Sequence, residues 1–119
     1  MKQSISALFL CFNDEMTIGN IIKQADKILK SLVQNYEIVV IDDKSSDKSQ
    51  QILIDLKHQY RHLKLIFNSR NLGYGGSLRK GLKACQKELI FYTDGDGQYD
   101  VRELKKLLSI LDGQCDVIN

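Results

Sequence analysis

Five consecutive residues, Asp94-Gly95-Asp96-Gly97-Gln98, place oxygen-bearing side chains at every second position. The glycines between them let the backbone turn sharply and approach a ligand closely. Two carboxylates and an amide leaving a strand end together suit a hard divalent cation, which takes carboxylate, carbonyl and water oxygens. The expectation is that Asp94, Asp96 and Gln98 hold a metal, and that the metal holds phosphates. Three further polar clusters punctuate the chain in a comparable way: Asn13-Asp14-Glu15, Asp42-Asp43 and the glycine-rich stretch from Asn68 to Gly76. Acids after strands also cap the helices that follow. Capping is the preferred reading for Asp47 and Asp100, and the lesser one for Asp42-Asp43 and for Asp94 with Asp96.

Other motif readings fail on detail. A calcium loop starting at Asp94 would need glycine where Tyr99 stands and a bidentate glutamate where Lys105 stands. Gly73-Tyr74-Gly75 opens like a dinucleotide fingerprint, but the third glycine would fall at Leu78. No Gly-Lys-Ser/Thr phosphate loop is present. A phosphoacceptor receiver domain also carries acids at strand ends. Its acid pair belongs after the first strand, however, and it leaves the spaced pair at 94 and 96 unexplained, so it stands as a weak rival and not as a rejected reading.

Each cluster needs an element to position it. Residues 4–12, 37–41, 63–67, 89–93 and 115–118 read as strands, apolar throughout rather than alternating. Ile18, Ile21, Ile22, Ala25, Ile28, Leu29 and Leu32 recur with helical spacing, with Thr17 as the N-cap. A second helix carries Ile52, Leu53, Leu56 and Tyr60 on one face, with Ser46 or Asp47 capping it. A third has Leu78, Leu82 and Cys85 facing inward, interrupted by Gly81, and a fourth begins near Val101 behind an Asp100/Glu103 capping box. Strands alternating with helices predict a single α/β domain, a mostly parallel sheet with helices on both faces. In such sheets ligands sit outside the carboxyl ends of the strands, and all four polar clusters fall there.

Composition bounds the function. The 119 residues are 43% hydrophobic and 27% charged, the balance of an ordinary globular domain. A net charge of +2 without a separate basic cluster argues against nucleic acid as a partner. No apolar run approaches the roughly 18 residues of a membrane span, and residues 5–12 lack the flanks of a signal peptide. The three cysteines show no metal-ligand spacing and read as reduced thiols of a cytoplasmic protein.

The four clusters, taken in order, resemble glycosyltransferase family 2, enzymes of the GT-A fold with a Rossmann-like sheet. Leu10-Cys11-Phe12-Asn13-Asp14-Glu15 stands where the family typically has Pro-x-Tyr-Asn-Glu. Asp42-Asp43-Lys44-Ser45-Ser46-Asp47 matches its Asp-Asp-Gly-Ser-x-Asp, and Asn71-Leu72-Gly73-Tyr74-Gly75 its Asn-x-Gly-x-Gly. Asp94 to Gln98 matches Asp-x-Asp-x-Gln, with the polyprenyl-phosphate and dolichol-phosphate sugar transferases nearest in this motif.

The resemblance implies a UDP- or GDP-sugar donor bound by Leu10, Phe12, Asp14, Asp42, Asp43, Asp94 and Gly95. Phe12, Asp14 and Asp42 would lie against base and ribose, with Asp43 nearby. Mg or Mn would sit on Asp94 and Asp96, with Gln98, and neutralise the leaving diphosphate. The sugar would pass with inversion to an acceptor, a lipid phosphate at the cytoplasmic face of a membrane being the acceptor of the nearest relatives. Arg70 and Arg79 are phosphate partners by charge alone, and a solvated surface position suits each equally well. Two family prolines are replaced, by Leu10 and Val101; the chain contains no proline at all. The family continues well past this length, so the chain reads as its donor-binding half, with acceptor site and catalytic base carried elsewhere. An alternative follows: a nucleotide-sugar-binding or assembly module without turnover, pairing as a homodimer through an uncovered sheet edge.

Overall fold

A computed structural model describes residues 4–94 and 117–118. Five strands, β1 (Ile5–Cys11), β2 (Tyr36–Asp42), β3 (Leu63–Phe67), β4 (Leu89–Asp94) and β5 (Val117–Ile118), form one sheet in the order β3-β2-β1-β4-β5. Every neighbouring pair is parallel. The intervening helices are α1 (Ile18–Leu32), α2 (Ser49–Lys57) and α3 (Gly73–Ala84). Residues 95–116, which include the helix expected from Val101, lie outside the described residues.

The continuous apolar strands are explained by burial on both faces. Ile5, Ala7, Phe9 and Cys11 of β1 join Ile38 and Val40 of β2 in a core shared with α1 and α2. The alternate positions Leu8, Leu10, Val39 and Ile41 pack on the opposite face, against Leu78 and Leu82 of α3. On α1 the inward stripe is Ile18, Ile21, Ile22, Ala25 and Leu29, as the helical spacing predicts. The Phe9 and Phe91 rings meet edge to face at 6.4 Å and tie β1 to β4.

The third helix starts earlier than the glycine-rich sequence suggests. Gly73 to Gly76 form its first turn instead of a loop. The reason lies 30 residues upstream, where the Asp43 carboxylate accepts the Gly73 N–H at 3.0 Å and the Leu72 N–H at 2.7 Å. An anion at the N-terminus satisfies orphan donors and complements the helix dipole, offsetting the poor helix propensity of glycine. Gly81 has a packing reason. A Cβ there would come within 2.6 Å of Leu8 Cδ1 and 3.1 Å of Ile41 Cγ1, so only glycine lets α3 lie this close to the sheet.

Chain order reverses between β1 and β4. From β1 the chain steps outward to β2 and β3, then crosses back to lay β4 on the other side. Such a switch point opens a crevice at the carboxyl ends of the strands.

Candidate functional site

Register fixes which residues reach that crevice. Cys11 lies opposite Asp42, Asp42 opposite Phe67, and Leu10 opposite Asp94. The strand ends that carry Cys11, Asp42, Phe67 and Asp94 are therefore at one edge, on strands about 4.8 Å apart.

Two loops at this edge are joined side chain to backbone. Asn13 follows β1 with φ 53°, in the left-handed region that Asn tolerates better than most residues. Its Oδ1 accepts the Ser46 N–H at 2.8 Å and the Asp47 N–H at 3.3 Å. In return the Asn13 N–H donates to Ser45 Oγ at 2.9 Å, the Asp14 N–H to Ser49 Oγ at 3.0 Å, and the Glu15 N–H to Asp47 Oδ2 at 3.1 Å. Lys44 is also left-handed, with φ 55°, at the position where the family motif carries glycine.

The two adjacent acids divide their tasks. Asp42 is fully buried. Its carboxylate accepts the Ser45 hydroxyl at 2.6 Å, the Ser45 N–H at 3.0 Å and the Gln50 amide at 2.8 Å. It therefore shapes the β2–α2 turn and does not line the cavity. Asp43 does line it. Burial pushes the Asp43 carboxyl up, but hydrogen bonds from Leu72, Asn68, Gly73 and Ser77 outweigh burial and hold it below the usual carboxylate range. A permanent negative charge is thus fixed on the cavity wall.

The cavity itself has a volume of about 460 Å³ and is lined by Leu10, Cys11, Phe12, Asp14, Asp43, Asn71, Gly73, Tyr74 and Ser77. Two aromatic side chains on this lining are unusually exposed, Phe12 at 51% and Tyr74 at 57%. Asp14 accepts the Phe12 N–H on Oδ2 at 3.0 Å, closing the turn that carries the ring. Cys11 is buried at the cavity floor. Desolvation, with the Asp42 charge adding to it, pushes its thiol up to about 12, so it stays protonated and unreactive at neutral pH. Aromatic faces and carboxylates suit a flat, N–H- and hydroxyl-bearing ligand, whereas a phosphate would be repelled without a cation between.

The expected site residues fall into three groups. Leu10, Phe12, Asp14 and Asp43 come together on the cavity; Asp42 supports it from below. The β4 backbone carries Asp94 to the same edge, opposite Leu10. Gly95, Asp96 and Gln98 lie outside the described residues. Among the described residues no group of three or more His, Cys, Asp or Glu side chains is placed to hold a metal. Arg70 and Arg79 are solvent-exposed and are not among the residues that line this cavity. Asn71, Tyr74 and Ser77 were not among the predicted contacts. The signal for them is Asn71-x-Gly73, which opens a helix directly over the crevice.

A doubly covered parallel sheet with its crevice between β1 and β4 defines a Rossmann-like α/β fold of the GT-A type. Residues 6–118 match the family described as Glycosyl transferase family 2. The chain belongs to that family. It is 29% identical over 117 residues to an undecaprenyl-phosphate 4-deoxy-4-formamido-L-arabinose transferase of Photorhabdus laumondii, covering 98% of this chain and 36% of the relative. It is 33% identical over 106 residues to a cholesterol galactosyltransferase of Borreliella burgdorferi, covering 89% of this chain and 28% of the relative. The chain thus spans about a third of the length of these curated relatives. Among solved structures, residues 1–349 of S. aureus TarS in complex with UDP-GlcNAc superpose with a TM-score of 0.72 at 26% identity. That match covers 95% of this chain and 32% of TarS 1–349.

Proposed function

We propose that this domain binds the nucleoside diphosphate sugar of a glycosyl transfer reaction, with the nucleoside in the cavity between Phe12 and Asp43. The observation that carries this is the cavity's chemistry: exposed aromatic rings beside a carboxylate held ionised, at the switch point of the sheet. Phe12 offers a face to the base, and Asp14 and Asp43 offer acceptors to its N–H groups and to ribose hydroxyls. The carboxylates would repel the diphosphate. It belongs instead toward β4, where Asp94, with Asp96 and Gln98, would hold Mg or Mn. That cation would neutralise the departing nucleoside diphosphate as the glycosidic bond breaks.

The attacking oxygen approaches the anomeric carbon opposite the leaving phosphate, so a single displacement inverts its configuration. The name of the P. laumondii relative supports a polyprenyl phosphate as acceptor, which is already anionic and needs little help from a base. Among the described residues no helix is long and apolar enough to cross a membrane. Contact with a lipid acceptor would be made from the membrane surface.

Calorimetry tests this reading. UDP- and GDP-sugars titrated with and without Mn should bind one nucleotide, more tightly with metal, and the metal-dependent part should vanish in Asp96→Ala. Absence of binding to either nucleotide, or a metal response unchanged in that variant, would overturn it.

A further inference from the structure

Asn68 directly follows β3, is 4% exposed, and has its backbone N–H and both side-chain polar atoms engaged. Its N–H donates to the Asp42 carbonyl at 2.9 Å. Its Nδ2 donates to Asp43 Oδ1 at 3.0 Å and to Ser77 Oγ at 3.1 Å, and its Oδ1 accepts from Lys80 Nζ at 3.0 Å. One amide therefore ties the end of β3 to the acid after β2 and to two turns of α3. Neither Asn68 nor Lys80 lines the cavity.

We infer that Asn68, oriented by Lys80, is a positioning residue that fixes the Asp43 carboxylate on the cavity wall. The two ends of a carboxamide have nearly the same shape, so packing alone does not choose between its two orientations. Charge does. An ammonium only donates and a carboxylate only accepts. With Lys80 on one side and Asp43 on the other, the amide must turn its oxygen to Lys80 and its NH2 to Asp43. The reverse orientation would set oxygen against carboxylate and NH2 against ammonium, around a buried amide whose unpaired polar atoms are costly. Lys80, an exposed residue on α3, thereby controls a charge it does not touch.

Several other groups share Asp43's surroundings. Asp14 and Cys11 reach the same cavity from the end of β1, and Tyr74 from α3. Asp42 and Lys44 flank it in sequence, the Asp42 carboxylate turned away toward Ser45 and Gln50. The donors to the Asp43 carboxylate come from Asn68, Ser77 and the start of α3.

What Asp43 then contacts rests on the nucleotide-sugar reading; its orientation does not. The test separates the two. Carboxyl 13C NMR on the ligand-free chain follows the titration of Asp43, and calorimetry with UDP in the presence of Mn follows the site. Asn68→Asp keeps the shape and the acceptor for Lys80 but turns a second acceptor onto Asp43. The Asp43 midpoint should then rise from below to above the ordinary Asp value of about 3.9, and UDP affinity should fall about tenfold or more. Lys80→Met, a surface change that leaves the core untouched, should move the midpoint in the same direction by less, and Lys80→Arg should restore it. A purely structural role predicts a lower melting temperature with the Asp43 midpoint unmoved. Seeing that in Lys80→Met, whether or not Asn68→Asp folds, would overturn the inference. Failure of the unaltered chain to bind UDP would instead count against the nucleotide reading alone, because the midpoint is read without ligand.

Discussion

Phe12 shows how a residue's exposure separates binding from folding. With half its surface in solvent and its backbone held by Asp14, the ring contributes little to the core. Phe12→Ala should leave the urea midpoint nearly unchanged, within about 0.5 kcal/mol. It should also weaken UDP binding by about 1–3 kcal/mol, the usual worth of a base stacked on an aromatic side chain. Paired calorimetry and urea titration would check both halves. The titrating groups act on stability in opposite pH ranges. Cys11 and Cys85 are raised to about 12 and about 11, chiefly by burial, so the fold favours their protonated forms. That contribution is complete below the ordinary thiol value and is lost as pH rises from about 9 toward those values. Asp43 and Asp47 are lowered, so their contribution is present above the ordinary carboxylate value and is lost as pH falls through their folded values. Urea midpoints should thus form a plateau between about pH 5 and 8 that falls on both sides, with a shallower alkaline fall in Cys11→Ala.

At the scale of elements, two backbone positions carry opposite lessons. Gly81 is where α3 presses on β1 and β2. Gly81→Ala gains up to about 1 kcal/mol in helix propensity but forces a methyl into Leu8 and Ile41, which are buried and have nowhere to go. Overpacking of this kind costs about 1–3 kcal/mol, so the variant should be less stable by urea titration, against the propensity trend. Lys44 is the converse. Its side chain is exposed and its left-handed φ carries a cost of about 1–2 kcal/mol for a residue with a Cβ. Lys44→Gly relieves that strain against an added chain entropy of about 0.5–1 kcal/mol, so it should stabilise by up to about 1 kcal/mol. Strand positions are legible in the sequence because burial on both faces leaves unbroken apolar runs, and α1 because its stripe repeats with helical spacing. The beginning of α3 is not legible from its own residues. Gly-Tyr-Gly-Gly reads as a loop until Asp43 is brought beneath it by the sheet. The division between Asp42 and Asp43 is hidden for the same reason: adjacent acids look alike until β2 buries one and presents the other.

Across the whole molecule, the two edges of the sheet have separate duties. Opposite the cavity, buried Glu37 accepts the Ser6 hydroxyl at 2.6 Å and the Gln86 N–H at 2.7 Å, with Lys64 at 3.8 Å. These contacts latch β1, β2 and the entry to β4 together. Seven-residue strands put this latch roughly 20 Å from the cavity edge. Glu37→Ala should therefore destabilise the fold by about 1–3 kcal/mol through the donors it strands, while UDP affinity, measured below the unfolding transition, stays as it was. The strand order has a further consequence, for the birth of the chain. β1 is central, yet its second neighbour, β4, begins 84 residues after it, since Ile5 pairs with Leu89. While the chain emerges from the ribosome, β1 with β2 and β3 presents one row of unpaired amides and carbonyls until β4 is synthesised. Nonlocal parallel pairing of this kind is slow to form and prone to association in the meantime, so the middle of the sheet is sealed later than its β2–β3 side.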